Sequence, residues 1–461
     1  MEMFFSFEDF QSDDVFYPTK HSLFKTWDKA LFRELEIKLE VQEDNVKRTF
    51  LELERRTTTQ YFRKVFTAQT RALNFARKWF PSYKFIMPEA LADDWLSTMD
   101  WHKVHPTRDH SLHQALTATI VSKMLGNGDP AKGLMLREDE SLLSRCAKLM
   151  VEGPKMSYLR AYLSDLDSDY QLHKEAYNFD WAVEAFYEAA MIAAQFHDMG
   201  YPWQFVNTLT RNLKKAQYDK VTRMLINDEE AYKEIYKRLL VYPLFGYNEN
   251  DVKEGAEDKV KVAMSLFRDG LLGTHGLPGA LGFMCLNDNT RAFGKSDNIE
   301  EATNRLILDW AAVAIMMHDM PGLYWGRNND TGKPSTPVLR LDFETDPLSC
   351  LISIGDMLEE FERPLALFSK SSKNEGTVQE RVEVDYDFAC KRSQVKIENG
   401  KLLVNYYYKP QDDPKEWEKI KDRRTKEVWE YLNPTNGYVD LSSWGVIDAE
   451  GVALIDEGGY F

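Results

Sequence analysis

Two stretches of this 461-residue chain are built alike and limit its architecture more than any other feature. "EAFYEAAMIAAQF" ends on His197 and Asp198, with Gly200 and Pro202 close behind. "NRLILDWAAVAIMM" ends on His318 and Asp319, with Pro321 and Gly322 next. Each run is apolar on nearly every face and too long for a buried strand, so each predicts a helix in the centre of a helical fold. The glycine and proline that follow are helix-stop residues. A carboxylate taken out of water costs several kcal/mol unless it is paired or bound to a cation. Two central helices that stop on an imidazole beside a carboxylate therefore call for a partner charge.

The remaining pattern fits a helical body around these two helices. Residues 20–80 carry apolar positions at three- and four-residue steps between charges, which predicts amphipathic helices ahead of Pro81. "HSLHQALTATIVSKML" predicts a helix that stops at "GNGDP", and "DPLSCLISIGDMLEEFERP" one bounded by Pro347 and Pro364. Beyond about residue 375 the period changes to two: "RVEVDYDFACKR" and "SQVKIENGKLLVNYYY" alternate like strands, and "ENGK" is a hairpin signal. The expected organisation is a helical extension over 1–94, a helical domain with insertions over 95–370, and a separable α+β module over 375–461.

With 58 basic against 74 acidic residues the net charge is −16, which disfavours duplex nucleic acid and anionic membranes as partners. It leaves room for a small anionic substrate held by local cations. No apolar run reaches the roughly 18 residues that a membrane helix needs. Cys146, Cys285, Cys350 and Cys390 share no CxxC spacing, and the acidic start "MEMFFSFEDFQSDD" lacks a basic n-region. Reduced thiols and a cytoplasmic location are the expectation.

Further metal-ligating types recur in similar settings. "RDHSLHQ" places His110 and His113 on one helix face. "LLGTHGLPGALGF" puts His275 at a loop-to-helix junction, and "CLISIGDMLEEF" puts Asp356 after an apolar run. Imidazole and carboxylate together suit Mn, Fe, Ni, Co or Zn. Each residue alone has a plainer reading, as a core histidine or a helix-end aspartate. The chain has nine histidines, and five lie in these few segments.

In this order "RDHSLHQ", "FHDMGYP", "THG", "MHD" and "GDMLEEFERP" resemble the HD-domain superfamily of metal-dependent phosphohydrolases, in particular a bacterial HD-type family of the two-metal kind. The resemblance covers roughly residues 95–365. It implies a mainly α protein, an HD-domain helical bundle with helical insertions and a small C-terminal α+β appendage. It implies that His110, His197, Asp198 and Asp356 bind one ion, with Asp198 bridging to a second held by His275 and His318. The lysine and the GYP signature of the HD-GYP phosphodiesterases are absent, which argues against cyclic di-GMP. The insertion at 127–180 is placed to cover the site.

The expected activity is hydrolysis of a phosphoester or phosphoanhydride in a nucleotide-like molecule, through one or two divalent transition-metal ions. His113 or Asp319 would handle protons, and Arg108 and Arg363 would receive phosphate. Asp319 can equally orient a ligand imidazole. Two alternatives share the ligand order: a di-iron HD-type oxygenase, and a non-catalytic nucleotide sensor.

Overall fold

A computed structural model describes residues 2–6, 110–198, 200, 296–319, 340–359, 365–368, 382–385, 390–408, 448–450 and 454–456, with parts of 275–283 and 422–444. Among these residues the protein is mainly helical. The expected helices within 20–80 lie outside the described residues.

Six helices of two turns or more carry the described body: α1 (His110–Met124), α2 (Leu142–Glu152), α3 (Ser157–Leu166), α4 (Phe179–Phe196), α5 (Ile299–Met317) and α6 (Pro347–Leu358). The starts of α4, α5 and α6 are written in short polar side chains. Asn178 accepts the Trp181 N–H at the head of α4, Asn298 the Glu300 N–H at the head of α5, and Asp346 the Ser349 N–H at the head of α6. Glu300 and Glu301 add favourable charge to the first turn of α5, and Pro347 sits where its missing N–H costs nothing.

Helix α4 is the centre of the packing. From Ala185 to Phe196 every residue is buried, and the helix packs on α1, α2, α5 and α6. Helix α5 is buried without a break from Leu306 to Met317. Phe186 of α4 meets Trp310 of α5 edge to face at 5.6 Å. At roughly 1.5–3 kcal/mol for each large apolar side chain removed from water, this pair of helices anchors the fold. No described helix is long and apolar enough to cross a membrane.

A short hairpin of β2 (Met135–Arg137) and β3 (Glu140–Ser141) leads into α2. The principal sheet forms around a hairpin of β7 (Cys390–Glu398) and β8 (Lys401–Tyr408). Asn399 and Gly400 join these strands with φ of 53° and 76°, the left-handed conformation of a tight hairpin turn. The N-terminal strand β1 (Glu2–Ser6) pairs antiparallel with β7. Strands β10 (Asp448–Glu450) and β11 (Leu454–Asp456) pair parallel with β8. Strand β4 (Leu341–Asp342) pairs with β9 (Val439–Asp440), and β5 (Leu365–Phe368) with β6 (Val382–Asp385).

The sheet is not set apart from the helices. Phe5, Val395, Leu402, Val404, Tyr438 and Trp444 belong to the same buried cluster as the residues of α4 and α5. The N-terminal segment begins as a strand of this sheet, a pairing partner that lies almost 400 residues away and that local periodicity does not reveal.

Candidate metal centre

The two central helices end with the same local device. Just past the end of α4, His197 turns its Nδ1 back to donate to the Ala194 carbonyl at 2.8 Å. Past the end of α5, His318 donates its Nδ1 to the Ile315 carbonyl at 2.6 Å. The last carbonyls of any helix lack partners within it, so the imidazole satisfies one of them. A carbonyl can only accept, so the proton sits on Nδ1 and each Nε2 is left with its lone pair. Both Nε2 atoms face the interior.

Two more imidazoles meet them. His113, on the first turn of α1, directs Nδ1 at the Glu359 carboxylate in a very short contact. Its Nε2 lies 2.7 Å from Asp356 Oδ1 and 3.1 Å from His197 Nε2. His275 directs Nδ1 at Asp319 Oδ2, 2.8 Å away, and that oxygen also accepts the His275 main-chain N–H at 2.7 Å. The His275 Nε2 lies 3.0 Å from His318 Nε2. All four histidines therefore present Nε2 inward while a carbonyl or carboxylate holds Nδ1 from behind.

Asp198 stands between the two pairs. Its Oδ2 is 3.5 Å from His113 Nε2, and its Oδ1 is 3.0 Å from His275, 3.5 Å from His318 and 3.4 Å from His197, each at Nε2. His113, His197 and Asp198 form one group of potential ligands, and Asp198, His275 and His318 another; His197, His318 and Asp356 form a third that overlaps both. In each, the ligand atoms lie within 4.8 Å of one another. Ligand atoms about 2.0–2.2 Å from a common ion stand roughly 3.0–3.5 Å apart, by the geometry of tetrahedral and octahedral sites. The separations around Asp198 and between the paired imidazoles fall in that range, while Asp356 stands 2.7 Å from His113 and 3.7 Å from His197, to either side of it. Inward lone pairs 3.0–3.1 Å apart repel unless a cation or proton lies between them. The residues present therefore fit a metal ion, and the shared carboxylate gives room for two.

The charge balance agrees. Burial pulls the His275 imidazole towards neutrality, but Asp319 and Asp198 outweigh it and push its pKa up to about 10. Burial would raise the Asp356 carboxyl; the His113 and His197 rings beside it override this and hold the group well below the usual carboxylate range. Asp319 is lowered in the same way, against burial, by His275 and His318. At His197, burial wins over Asp198 and Asp356 and lowers the pKa, which favours the neutral ring that a metal needs. The site pulls cations in, with two of its carboxylates held ionised.

Close backbone approach brings the His275 turn to the helix ends. A Cβ on Gly200 would lie 1.9 Å from the His275 carbonyl oxygen. A Cβ on Gly276 would meet the Met316 and Ile315 carbonyls at 2.7 and 2.9 Å. The glycine after the first His-Asp pair thus does more than stop a helix: only its lack of a side chain lets the His197–Asp198 turn touch the His275 turn.

The structure brings together His113, His197, Asp198, His275, His318, Asp319 and Asp356. His110 opens α1 one turn before His113, and its side chain lies outside the described residues, as do Arg108 and Arg363. His113, expected from the sequence as a proton carrier, has its Nε2 among the potential ligand atoms. Glu359 is a participant that the sequence reading did not single out; it is buried, and it holds His113. Its signal was the three-residue spacing from Asp356, which sets the two carboxylates on one side of the chain. Asp319 and Asp356 are the more open members, their side chains 25% and 17% exposed, so the centre meets solvent on their side.

Comparison with protein-family models, with curated proteins and with solved structures finds no match to this chain.

Proposed function

We propose that the protein is a two-metal hydrolase of phosphoester or phosphoanhydride bonds in a small nucleotide-like substrate, and that its metal centre is of the HD type that the sequence resembles. The observation that carries the metal part is the set of four inward Nε2 atoms around the shared Asp198 carboxylate. The reaction class rests on the resemblance in ligand order. No thiol belongs to the donor set, so Mn, Fe, Co, Ni or Zn suits it better than a soft ion. Bound there, such ions lower the pKa of water and neutralise the phosphoryl oxygens.

The chain's own residues divide the work. His113 and His197, with Asp356, hold one half of the centre; His275 and His318 hold the other; Asp198 joins them. Glu359 and Asp319 fix the rings of His113 and His275, so that their Nε2 lone pairs stay aimed inward. Both nitrogens of His113 are engaged, which suits a ligand better than a proton carrier. His275 and His318 hold Asp319 ionised, so it does not supply a proton to a leaving group. Substrate approaches from the side of Asp319 and Asp356, which are open to solvent.

The test is a nucleotide panel assayed anaerobically, with metal-free protein reloaded with Mn²⁺, Co²⁺ or Ni²⁺. Release of phosphate or a nucleoside monophosphate is expected with more than one of these ions, because the chemistry involves no redox change. Turnover that requires both iron and dioxygen would replace this reading with the oxygenase. Nucleotide binding with no hydrolysis under any metal would replace it with the sensor.

A further inference from the structure

Two of the helices that carry residues of the centre, α5 and α6, are each held at their last turn by a tyrosine from the C-terminal part of the chain. Tyr438, fully buried beside β9, donates its hydroxyl to the Met317 carbonyl at 2.6 Å. Tyr406, buried on β8, donates to the Met357 carbonyl at 2.7 Å. Met317 is the residue before His318. Met357 lies between Asp356 and Glu359. The carbonyl that Tyr438 holds belongs to the planar peptide unit ending at the His318 Cα, so fixing that carbonyl fixes where the imidazole starts. The Tyr438 main chain is tied down as well: its carbonyl accepts the Leu341 N–H at 2.7 Å, and its ring meets Tyr431 edge to face at 6.2 Å.

We infer that Tyr438 and Tyr406 are positioning residues, through which the C-terminal sheet sets the two halves of the metal centre separately: Tyr438 the half with His318, Tyr406 the half with Asp356 and His113. The inference rests on the two-metal reading. Metal–ligand distances tolerate about 0.2 Å, so a helix end released from its outer hydrogen bond is enough to weaken an ion. Each hydroxyl donates to a main-chain carbonyl of a helix end, and it is through that helix end that each acts.

The experiment is a Co²⁺ titration of the metal-free, full-length chain, followed by calorimetry and by the visible spectrum of the bound ion. The variants are Tyr438→Phe and Tyr406→Phe, with His318→Ala to mark the second half. Wild type should take up two equivalents. Tyr438→Phe should weaken the equivalent marked by His318→Ala by about 10–100-fold and leave the other unchanged, and Tyr406→Phe should do the reverse. Tyr407→Phe removes a hydroxyl that bonds Gln394 within the sheet, and should titrate as wild type. Phenylalanine keeps each ring's packing, and the two arms are independent should one variant not fold. If wild type takes up no Co²⁺, the metal reading falls and this inference with it. If wild type takes up two but both tyrosine variants match it, or weaken both equivalents alike, the inference alone is overturned.

Discussion

Glu359 shows how one side chain outside the ligand set can decide what the set does. Its carboxylate holds the His113 Nδ1 proton and so leaves the His113 Nε2 to face the centre. Glu359→Gln keeps the shape but removes the charge that fixes this arrangement. Metal affinity at the His113 half should fall by about 10–100-fold, with little loss of stability; an unchanged metal titration would show that the ring is fixed by packing alone. The sequence made much of the centre legible at this scale, because metal-ligating types recur in similar settings along it. His197, Asp198 and His318 end two apolar helices built alike, and His275 and Asp356 complete the ordered set. The sequence reading makes His110 a ligand and His113 a proton carrier; three residues apart on a helix they share a face, and of the two only the His113 side chain lies among the described residues. Glu359 was easily passed over because it sits in "LEEFER", where a charge run usually marks a solvated surface; its burial shows otherwise.

Among elements, the turns between helices carry the tightest constraints. Gly200→Ala would place a methyl group on the His275 carbonyl, against backbone that has nowhere to move without taking His275 along. Loss of the second metal equivalent together with a lower Tm is expected, checked by elemental analysis and thermal unfolding; wild-type values in both would refute the close approach. Away from the centre, Asp167 ends α3 and gathers the Tyr177 hydroxyl at 2.5 Å, the His173 Nδ1 at 2.9 Å and the Asp169 N–H at 2.9 Å. The neighbouring Ser168 N–H reaches the Ser296 carbonyl, which ties α3 to the approach to α5. Burial would raise the Asp167 carboxyl, but these hydrogen bonds outweigh it and hold the group below 3.8. A depressed carboxyl pKa stabilises the fold above its unfolded value and loses that contribution as pH falls through the folded value. Asp167→Asn should therefore cost about 1–3 kcal/mol at neutral pH. The gap from wild type, read by denaturant unfolding, should narrow below about pH 3.8. A gap that stays constant into acid would assign it to packing instead. Helices α1, α4, α5 and α6 were legible from their apolar residues and their glycine and proline boundaries; β1 was not, since five residues reveal no partner near the other end of the chain.

At the scale of the molecule, the sequence suggests that residues 375–461 can be removed, because their period differs from that of the helices. Among the described residues of this range, Val395, Leu402, Val404, Tyr438 and Trp444 lie in the same buried cluster as α4 and α5, and Tyr406 and Tyr438 hold the ends of α6 and α5. Period reports local structure and says nothing of which faces meet. A chain ending near Lys373 should unfold with lower cooperativity and bind less metal than the full chain, as read by circular dichroism and elemental analysis. Retention of both properties would show that the sheet is an independent unit after all. The central claim is that Asp198 joins two ions inside the helical bundle. Elemental analysis of the full-length protein, loaded with Mn²⁺ or Co²⁺ and freed of excess ion, tests it most directly against Asp198→Ala. Two ions per chain in wild type and loss from both positions in Asp198→Ala are predicted; a variant that keeps the wild-type metal content would contradict it.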